Sequence, residues 1–361
     1  MRNERLAVIW RVMWRAAVCL AAVPAVSFAV MTALALIREG AGLPDAAGIA
    51  LRQGLLPLIR GGFGAGAESL RAVIAEAGVL MLMALSVALC LRAGLLNVGA
   101  PGQYAVGVCA AWMCAAVWEL PWFVSVAASA AAGALAGALF GWMRRRSGSA
   151  AADVLLDALI LCAVYAVIQR VSAQTAGGGA IPEARQIPAL GKGTDGYLAR
   201  PVTWGVLAAL IGPLVLWTVE KFHIWGYGMR LMGASGPAAE YAGVNRKRMT
   251  VLCMTLSGLL AGLGGGSGAL SGMAQGISAA EAGLDGLGAA LLAGGHPLGV
   301  LLSSAAAAHL RGGCRRMGAP YDGGLAAWLI CGGLMPLCGW TLRVWRMKAE
   351  RRLRGKKEEA P

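Results

Sequence analysis

Charge is scarce in this chain and absent from long parts of it. Only 14% of its 361 residues are charged, whereas 58% are hydrophobic and the mean hydropathy is +0.65. Water-soluble globular domains carry about 25% charged residues, so the composition excludes that class. The chain is therefore predicted to be an all-α polytopic membrane protein. Uncharged runs that are long enough for a hydrocarbon layer of about 30 Å occupy residues 16–37, 93–118, 120–143, 201–219, 249–280, 286–310 and 323–342.

Motifs for metal binding and for ATP hydrolysis are also lacking. The nine cysteines are scattered without a CxxC pair, so they indicate neither a zinc site nor a disulfide framework. The only Gly-Lys pairs, Gly191-Lys192 and Gly355-Lys356, do not precede Ser or Thr, which excludes a P-loop. We expect no cofactor and no ATP hydrolysis by this chain.

One short stretch resembles an enzyme motif. Residues 265–268 read GGSG, like the GxSG of rhomboid intramembrane proteases, and His296 or His309 could supply a base for Ser267. Neither histidine is followed four residues later by the asparagine which that family shows. Small residues at helical spacing also allow close helix packing. We therefore favour a packing role here, and the chain is predicted not to be an enzyme.

The positive charge lies beside the apolar runs. The chain has 32 Lys and Arg against 18 Asp and Glu, a net charge of +14. This placement follows the positive-inside rule of membrane proteins, and no aromatic-basic module indicates nucleic-acid binding. We predict a multi-pass protein of the cell membrane, in contact with lipid and without a nucleic-acid partner. Residues 1–15 and the basic tail 344–361 are then cytoplasmic, 16–343 form the transmembrane domain, and 222–248 form a cytoplasmic segment within it.

The charge rule gives a conflict near the C-terminus. If both termini are cytoplasmic, the run 286–310 must form two short helices, which places Arg311, Arg315 and Arg316 on the outer side. A single kinked span would obey the rule at these arginines but would place the basic tail outside. The tail carries the larger bias, so we favour the broken pair. The helix count is then nine or, preferably, about ten.

Two apolar runs, one in each half of the chain, are interrupted by residues unsuited to a membrane helix. Amides and Gly-Pro breaks at membrane depth are unfavourable unless they face a cavity or another helix. Interrupted segments in both halves are typical of the midplane solute site of a transporter. The alternative is that both are packing kinks. The predicted path residues are Asn97, Gly99, Gly102, Gln103, Gly294, Gly295, His296 and Pro297.

The polar segment 226–248, GYGMRLMGASGPAAEYAGVNRKR, has the residues of a short helix. Pro237 suits a first helical position, Gly243 suits the C-terminal stop, and Asn245 could cap the next span. This predicts one or two helical turns facing the cytoplasm. They form either an ordinary interhelical loop or a docking helix for a soluble partner.

Four stretches, in the expected order, resemble the simple-sugar and nucleoside type of ABC importer permease, a member of the branched-chain-permease superfamily. Residues 96–107, LNVGAPGQYAVG, resemble its FNIGAEGQ motif, and residues 230–244, RLMGASGPAAEYAGV, align without gaps on its RAvGxNPxAAxYAGI coupling region. Residues 257–265, SGLLAGLGG, and 291–299, LLAGGHPLG, resemble its SGALAGLAG and LLGxxxPLG. The resemblance covers about residues 70–342.

The resemblance implies a transmembrane subunit of an ABC importer for a sugar-like or nucleoside-like solute. Alternatives are another cargo of the superfamily, such as a branched-chain amino acid, and a non-transporting assembly partner derived from a permease. The implied partners are a cytoplasmic ABC ATPase that binds the ATP, a second permease, in a heterodimer, and an extracellular substrate-binding lipoprotein. The implied ATPase-coupling residues are Arg230, Gly233, Ala238, Ala239, Glu240, Tyr241 and Gly243.

Several positions depart from the family pattern. Pro101 stands where the first motif has an acidic residue, Ser235-Gly236 replaces the Asn-Pro of the coupling region, and Glu240 stands at a usually basic position. Residues 152–161 match the family's NEVIxTxMLN only faintly, keeping an acid at Asp153 and ending in Leu161. These differences bear on the solute and on coupling more than on the fold.

Overall fold

The computed structural model describes residues 25–37, 39–40, 42–147, 151–172, 180–191, 202–271, 279–318, 321, 326, 328–335, 337 and 339. Most of these residues are helical, which confirms the predicted all-α class. Two short antiparallel strands, β1 (Ala189–Gly191) and β2 (Val202–Thr203), lie between the seventh and eighth helices. The helices are α1 (Ala25–Ile37), α2 (Leu43–Ile49), α3 (Leu56–Arg60), α4 (Ala67–Arg92), α5 (Ala100–Trp112), α6 (Trp122–Ser147), α7 (Ala151–Ser172), α8 (Trp204–Phe222), α9 (Ile224–Ala234), α10 (Gly236–Tyr241), α11 (Arg246–Leu270), α12 (Ala279–Leu292) and α13 (Pro297–Cys314).

Six helices in the described ranges are long and apolar enough to cross a membrane, so the chain is a polytopic membrane protein. They are α4, α5 with its continuation to Val117, α6, α7, α8 and α11. The predicted first run, 16–37, is described only from residue 25, and few residues of the last run, 323–342, are described. The predicted total of about ten helices therefore stays a prediction. The predicted segments 1–15 and 344–361 lie outside the described residues.

Helix α4 is the central helix of the bundle. It is buried over most of its length, and α8, α11, α12 and α13 pack around it. Its sequence between Val79 and Cys90 is apolar on every side except at Ser86, as expected for a helix enclosed by protein. Helix α7, in contrast, leaves Leu155 and Leu159 exposed and lies at the edge of the bundle.

Small residues bring α6 and α11 into backbone contact. A Cβ atom on Gly258 would overlap the carbonyl oxygen of Gly133, and one on Gly262 would overlap the carbonyl oxygen of Ser129. Close approach of this kind lets membrane helices associate through van der Waals contact. The packing role predicted for the small residues of α11 is thus confirmed. His309 is engaged elsewhere: it stacks on Phe63 and accepts a hydrogen bond from the Phe63 backbone N–H.

The bundle has one strongly basic end. Helix α4 ends there at Arg92, which pairs with Glu220 near the end of α8. The last turn of α6 also lies there and contains Arg144, which pairs with Asp153 at the start of α7. Helix α11 begins with Arg246, Lys247 and Arg248 next to α10. We refer to this side as the basic end. The start of α4 lies at the opposite end, about 38 Å away along a 26-residue helix.

Helices α12 and α13 form an antiparallel hairpin, which confirms the predicted broken pair. The turn contains Gly294 and Gly295, whose φ angles of 62° and 72° are readily adopted only by glycine. Helix α12 begins at Ala279, seven residues before the predicted run. That run was defined by the absence of charge, whereas the helix includes the acidic residues Glu281 and Asp285. The turn lies near the basic end, where Gly295 packs against Leu91 of α4.

A buried charge cluster joins the hairpin to α4 and accounts for the conflict with the charge rule. The Arg311 guanidinium pairs with Glu76 of α4 at 2.9 Å, with Glu281 at 3.0 Å and with Asp285. Arg311, Glu76 and Asp285 are all almost completely buried. Arg315 also approaches Glu76, at 3.5 Å. The cluster lies in the half of α4 remote from the basic end, and its carboxylates offset the charge of Arg311 and Arg315, two of the three arginines that the predicted topology places on the outer side.

Replacement of Arg311 is expected to destabilise the bundle strongly. Arg311→Met leaves buried carboxylates without a cation, and breaking a buried ion pair from one side typically costs about 3–5 kcal/mol. Arg315→Met is the control, because Arg315 is more exposed and its ion pair with Glu76 is longer. Thermal unfolding in detergent measures both variants. Adding Glu76→Gln and Asp285→Asn to Arg311→Met should recover part of the loss, and equal losses in the two arginine variants would contradict the assignment.

Candidate functional site

The first break lies between α4 and α5 and is set by local chain chemistry. Helix α4 ends with the Leu95 N–H donating to the Cys90 carbonyl at 2.9 Å, with Gly94 at a φ angle of 74°. This is the usual hydrogen-bond pattern of a glycine-terminated helix. Helix α5 then begins at Ala100, with Pro101 in its first turn, where a missing N–H leaves no helical bond unmade. Asn97 lies between the two helix ends.

The amides of Asn97 and Gln103 form a buried pair. The Asn97 Nδ2 donates to Gln103 Oε1 at 2.8 Å, and the Gln103 Nε2 donates to Asn97 Oδ1 at 3.4 Å. The two side chains are 2% and 0% exposed, so neither faces bulk solvent. A buried amide is tolerated only when its donors and acceptors are paired. The structure thus pairs two of the predicted path residues, which lie six positions apart in the sequence.

Two serines extend the amide pair across the bundle. Ser257 of α11 accepts a hydrogen bond from Asn97 Nδ2 at 2.7 Å, and its hydroxyl lies 2.8 Å from both the hydroxyl and the carbonyl oxygen of Ser86 in α4. Ser257 lies eleven residues inside α11, about 16 Å from its start. We refer to Ser86, Asn97, Gln103 and Ser257 as the amide cluster. It joins α4, α5 and α11 within the membrane-spanning part of the chain.

The two glycines of the first motif admit close neighbours. A Cβ atom on Gly99 would overlap the ring of Phe140 in α6, and one on Gly102 would overlap the carboxylate of Asp157 in α7. The Gly102 N–H donates to Asp157 Oδ1 at 2.6 Å. The absence of a side chain at Gly99 and Gly102 therefore allows the Phe140 ring and the Asp157 carboxylate to pack against the backbone there.

Pro101, the departure from the family motif, has an apolar contact. Its ring packs directly on Gly283 of α12, where a Cβ atom would overlap the ring. Helix α12 thereby reaches the start of α5 without a polar contact at this position. A carboxylate contacts the next residue instead, because Asp157 accepts a hydrogen bond from the Gly102 N–H.

The second break also contacts α4. Gly294 and Gly295 form the turn, the His296 N–H donates to the Ala293 carbonyl at 3.1 Å, and Pro297 is buried at the start of α13. Both breaks contact the last turns of α4, the first through the hydrogen bond from the Leu95 N–H to the Cys90 carbonyl and the second through Leu91. The predicted path residues of the two halves thus lie against one helix, while a role in a solute path stays a prediction for all of them.

The coupling segment has the local structure that its sequence predicts. Ser235 caps α10 by accepting from the Ala238 N–H at 3.4 Å, Pro237 lies in the first turn, and Asn245 caps α11 by accepting from the Arg248 N–H at 3.0 Å. The structure adds α9, a helix that the sequence pattern did not predict. The segment forms an exposed ledge at the basic end, with Ala239 turned inward and Tyr241 96% exposed. Of the other predicted coupling residues, the exposed ones are Arg230, Gly233, Ala238, Glu240 and Gly243.

The coupling segment touches the first break directly. A Cβ atom on Gly233, at the end of α9, would overlap the carbonyl oxygen of Arg92, and Gly94 packs on the Gly233 backbone. The ion pair between Arg92 and Glu220, at 3.3 Å, adds a second link between α4 and the helices that enter the segment. A displacement of α9 would therefore press on the backbone of Arg92 and Gly94, just before Asn97.

Sequence reasoning missed Ser86, Ser257 and Asp157 as members of this region. The serines lie in apolar or glycine-rich helical runs, where a hydroxyl carries no visible signal. Asp157 had one, since it lies one turn from Asp153 on the same side of α7. Among the described residues, no group of three or more His, Cys, Asp or Glu side chains could hold a metal ion. The described part of this region thus consists of amides, hydroxyls and one carboxylate.

Comparison with known proteins identifies relatives over the same region. The family described as "Branched-chain amino acid transport system / permease component" matches residues 69–316, from α4 to just beyond α13. The chain is 24% identical over 254 residues to the nucleoside ABC transporter permease protein NupB of Lactococcus lactis subsp. cremoris (strain MG1363), covering 66% of this chain and 70% of that protein. It is 26% identical over 262 residues to the guanosine ABC transporter permease protein NupP of Bacillus subtilis (strain 168), covering 69% and 74%. No solved structure matches the chain.

The amide pair is expected to be energetically coupled. Asn97→Leu removes both hydrogen bonds that Gln103 makes in the pair, and Gln103→Leu leaves Asn97 with Ser257 alone, so each single variant leaves buried polar groups without a partner, which typically costs about 1–3 kcal/mol. The double variant removes both amides, so its loss should be smaller than the sum of the single losses. Thermal unfolding of the four proteins in detergent measures this coupling. Additive losses would show that the two amides do not depend on each other.

Proposed function

This chain belongs to the family of permease components of branched-chain amino acid transport systems, and we propose that it moves nucleosides into the cell as a transmembrane subunit of an ABC importer. The family match over residues 69–316 supports the permease role. The observation that carries the nucleoside assignment is the likeness to two relatives named as nucleoside and guanosine permeases. The amide cluster is consistent with it, because uncharged amides and hydroxyls can exchange hydrogen bonds with a polar, uncharged solute.

In this proposal the basic end faces the cytoplasm. Arg144, Arg145 and Arg146 end α6 at this side, and Arg246 to Arg248 begin α11 there, as the positive-inside rule requires. The exposed ledge of α9 and α10 then projects towards the cytoplasm. Both termini are assigned to the same side, because residues 1–15 and 344–361 are also basic.

The ledge is the proposed contact for a cytoplasmic ABC ATPase. Its exposed residues include Arg230, Glu240 and Tyr241, and Glu240 pairs with Arg246 at 3.4 Å on the surface. ATP is bound and hydrolysed by that partner, so this chain needs no cofactor and performs no catalysis. A second, related permease would complete the membrane part, and an extracellular substrate-binding lipoprotein would deliver the solute at the opposite end.

The contact between the ledge and the first break supplies a mechanism. When the ATPase moves α9, Gly233 pushes on the backbone of Arg92 and Gly94, which precede Asn97. A rigid shift of α4 relative to α5 and α11 would exchange hydrogen-bond partners in the amide cluster. Such shifts between two packed arrangements are the usual basis of alternating access.

Uptake by the reconstituted complex tests the proposed function. Proteoliposomes with this chain, its partner permease, the ATPase and the binding protein should take up guanosine in an ATP-dependent manner. Replacing Asn97 and Gln103 together by Leu should abolish that uptake, because no amide remains for the solute, while membrane insertion is unchanged.

The alternatives give different results in the same assay. Uptake of leucine but not guanosine would favour the amino-acid cargo, and no ATP-dependent uptake of either would favour a non-transporting assembly partner. Guanosine uptake at the wild-type rate by the double Leu variant would remove the amide pair from the solute path and leave the nucleoside assignment intact.

Docking of the ATPase is tested at Tyr241. This side chain is 96% exposed at the end of α10, and aromatic residues often dominate interfaces, with losses of about 2 kcal/mol or more on truncation. Tyr241→Ala should therefore reduce the amount of ATPase that co-purifies with the permease by about tenfold or more. Tyr165→Ala, which removes an exposed tyrosine from α7 at a distance from the ledge, is the control. Equal recovery of the ATPase with both variants would contradict this docking site.

A further inference from the structure

Asp157 is an acidic side chain within a membrane-spanning helix. It lies six residues inside α7, about 9 Å from the start of that helix. Its Oδ1 accepts a hydrogen bond from the Gly102 N–H at 2.6 Å, and the side chain is only partly buried. A carboxylate at such a depth is unfavourable, and ionisable residues placed there commonly serve function.

Other acidic residues of the bundle pair with arginines, whereas Asp157 has no such partner among the described residues. Asp153 pairs with Arg144, Glu220 with Arg92, and Asp285 with Arg311. Within the part of the chain that the structure describes, no Lys, Arg or His lies within ion-pair distance of Asp157. The Gly102 N–H and the positive end of the α5 dipole offset part of its charge.

The carboxylate of Asp157 retains unused acceptor capacity. An ionised carboxylate can accept about four hydrogen bonds, and Asp157 accepts one from the described residues. The neighbouring amides are more fully used, because Asn97 donates to both Gln103 and Ser257. Among the described residues beside the first break, Asp157 is therefore a carboxylate with unused acceptor sites, and its bond to Gly102 places it next to Gln103.

We infer that Asp157 is a specificity-determining residue of the permease and accepts hydrogen bonds from the ribose hydroxyls of a nucleoside in transit. The inference rests on the proposed function. A carboxylate accepts but does not donate, so it selects solutes that present donors, and the adjacent 2′- and 3′-hydroxyls are such donors in every ribonucleoside. Its negative charge also disfavours phosphorylated nucleotides.

A purely structural role is the competing explanation. Asp157 could serve only to hold the start of α5, in which case its loss would slow the transport of every solute to the same extent. The two explanations predict different ratios of transport rate between solutes that have the ribose hydroxyls and solutes that lack them. Only the specificity role changes this ratio when Asp157 is replaced.

The test compares uptake of guanosine and 2′,3′-dideoxyguanosine by the complete complex in proteoliposomes. The variants are Asp157→Asn, which keeps an oxygen for the Gly102 N–H, and Asp157→Ala. Wild-type Vmax/KM should favour guanosine, and Asp157→Asn should reduce that preference by about 10- to 100-fold, as expected for a hydrogen bond to a charged group. The loss should come from a raised KM for guanosine, with little change for the dideoxy solute. The same binding protein is used with every variant, so its own preference between the two solutes cancels when the wild-type guanosine-to-dideoxyguanosine ratio of Vmax/KM is divided by that of the variant.

Asp153→Asn is the matched control, one turn away on α7. It disrupts the ion pair with Arg144, so it should change uptake of both solutes by the same factor. An unchanged ratio in Asp157→Asn, whether or not overall uptake falls, would overturn the inference and leave Asp157 as a positioning residue for α5. If Asp157→Ala does not fold, Asp157→Asn alone decides. Absence of guanosine uptake by the wild-type complex would instead contradict the proposed function.

Discussion

Polar groups within the apolar bundle must find their partners in the chain itself, and this constraint governs much of the structure. Lipid offers neither donors nor acceptors, so an unpaired amide or charge at membrane depth is strongly unfavourable. Arg311 is therefore enclosed by Glu76, Glu281 and Asp285. Asn97 is satisfied by Gln103 and Ser257 in the same way. Each set of polar contacts joins helices that are distant in sequence.

The same constraint determines where the helices can be interrupted. Each break leaves backbone groups without a helical partner. Glycine turns at the ends of α4 and α12 satisfy some of these groups with local hydrogen bonds. Close backbone contact, as between Gly94 and Gly233, leaves no room for lipid at the first break. The interruption is thus enclosed by protein on the side of the coupling segment. A helix break that is enclosed, and that touches an exposed ledge, can transmit a movement without exposing unpaired groups to lipid.

The sequence predicted the features that depend on neighbouring residues and missed those that depend on distant ones. Charge-free runs, the Gly-Pro breaks, the start of α10 next to Pro237 and the Asn245 cap all follow from local rules. The partners of Arg311 did not, because Glu76 lies 235 positions earlier in the chain and on a different helix. Ser257 was hidden by its glycine-rich surroundings. The contact of Pro101 with Gly283 likewise depends on how α12 packs on α5, which no periodicity encodes.

The amide pair and Asp157 differ in the way that a solute can use them. The hydrogen bonds of Asn97 are made within the bundle, so a solute can bind this amide only when α5, α4 and α11 change their relative positions. Asp157 accepts only one hydrogen bond from the described residues, so its other acceptor sites are unused there in the present arrangement. In alternating access a site should bind the solute in one state and release it in the other, and a differential affinity of this kind drives the switch. An accessible carboxylate beside amides that become available only on movement provides such a difference within a single helix break.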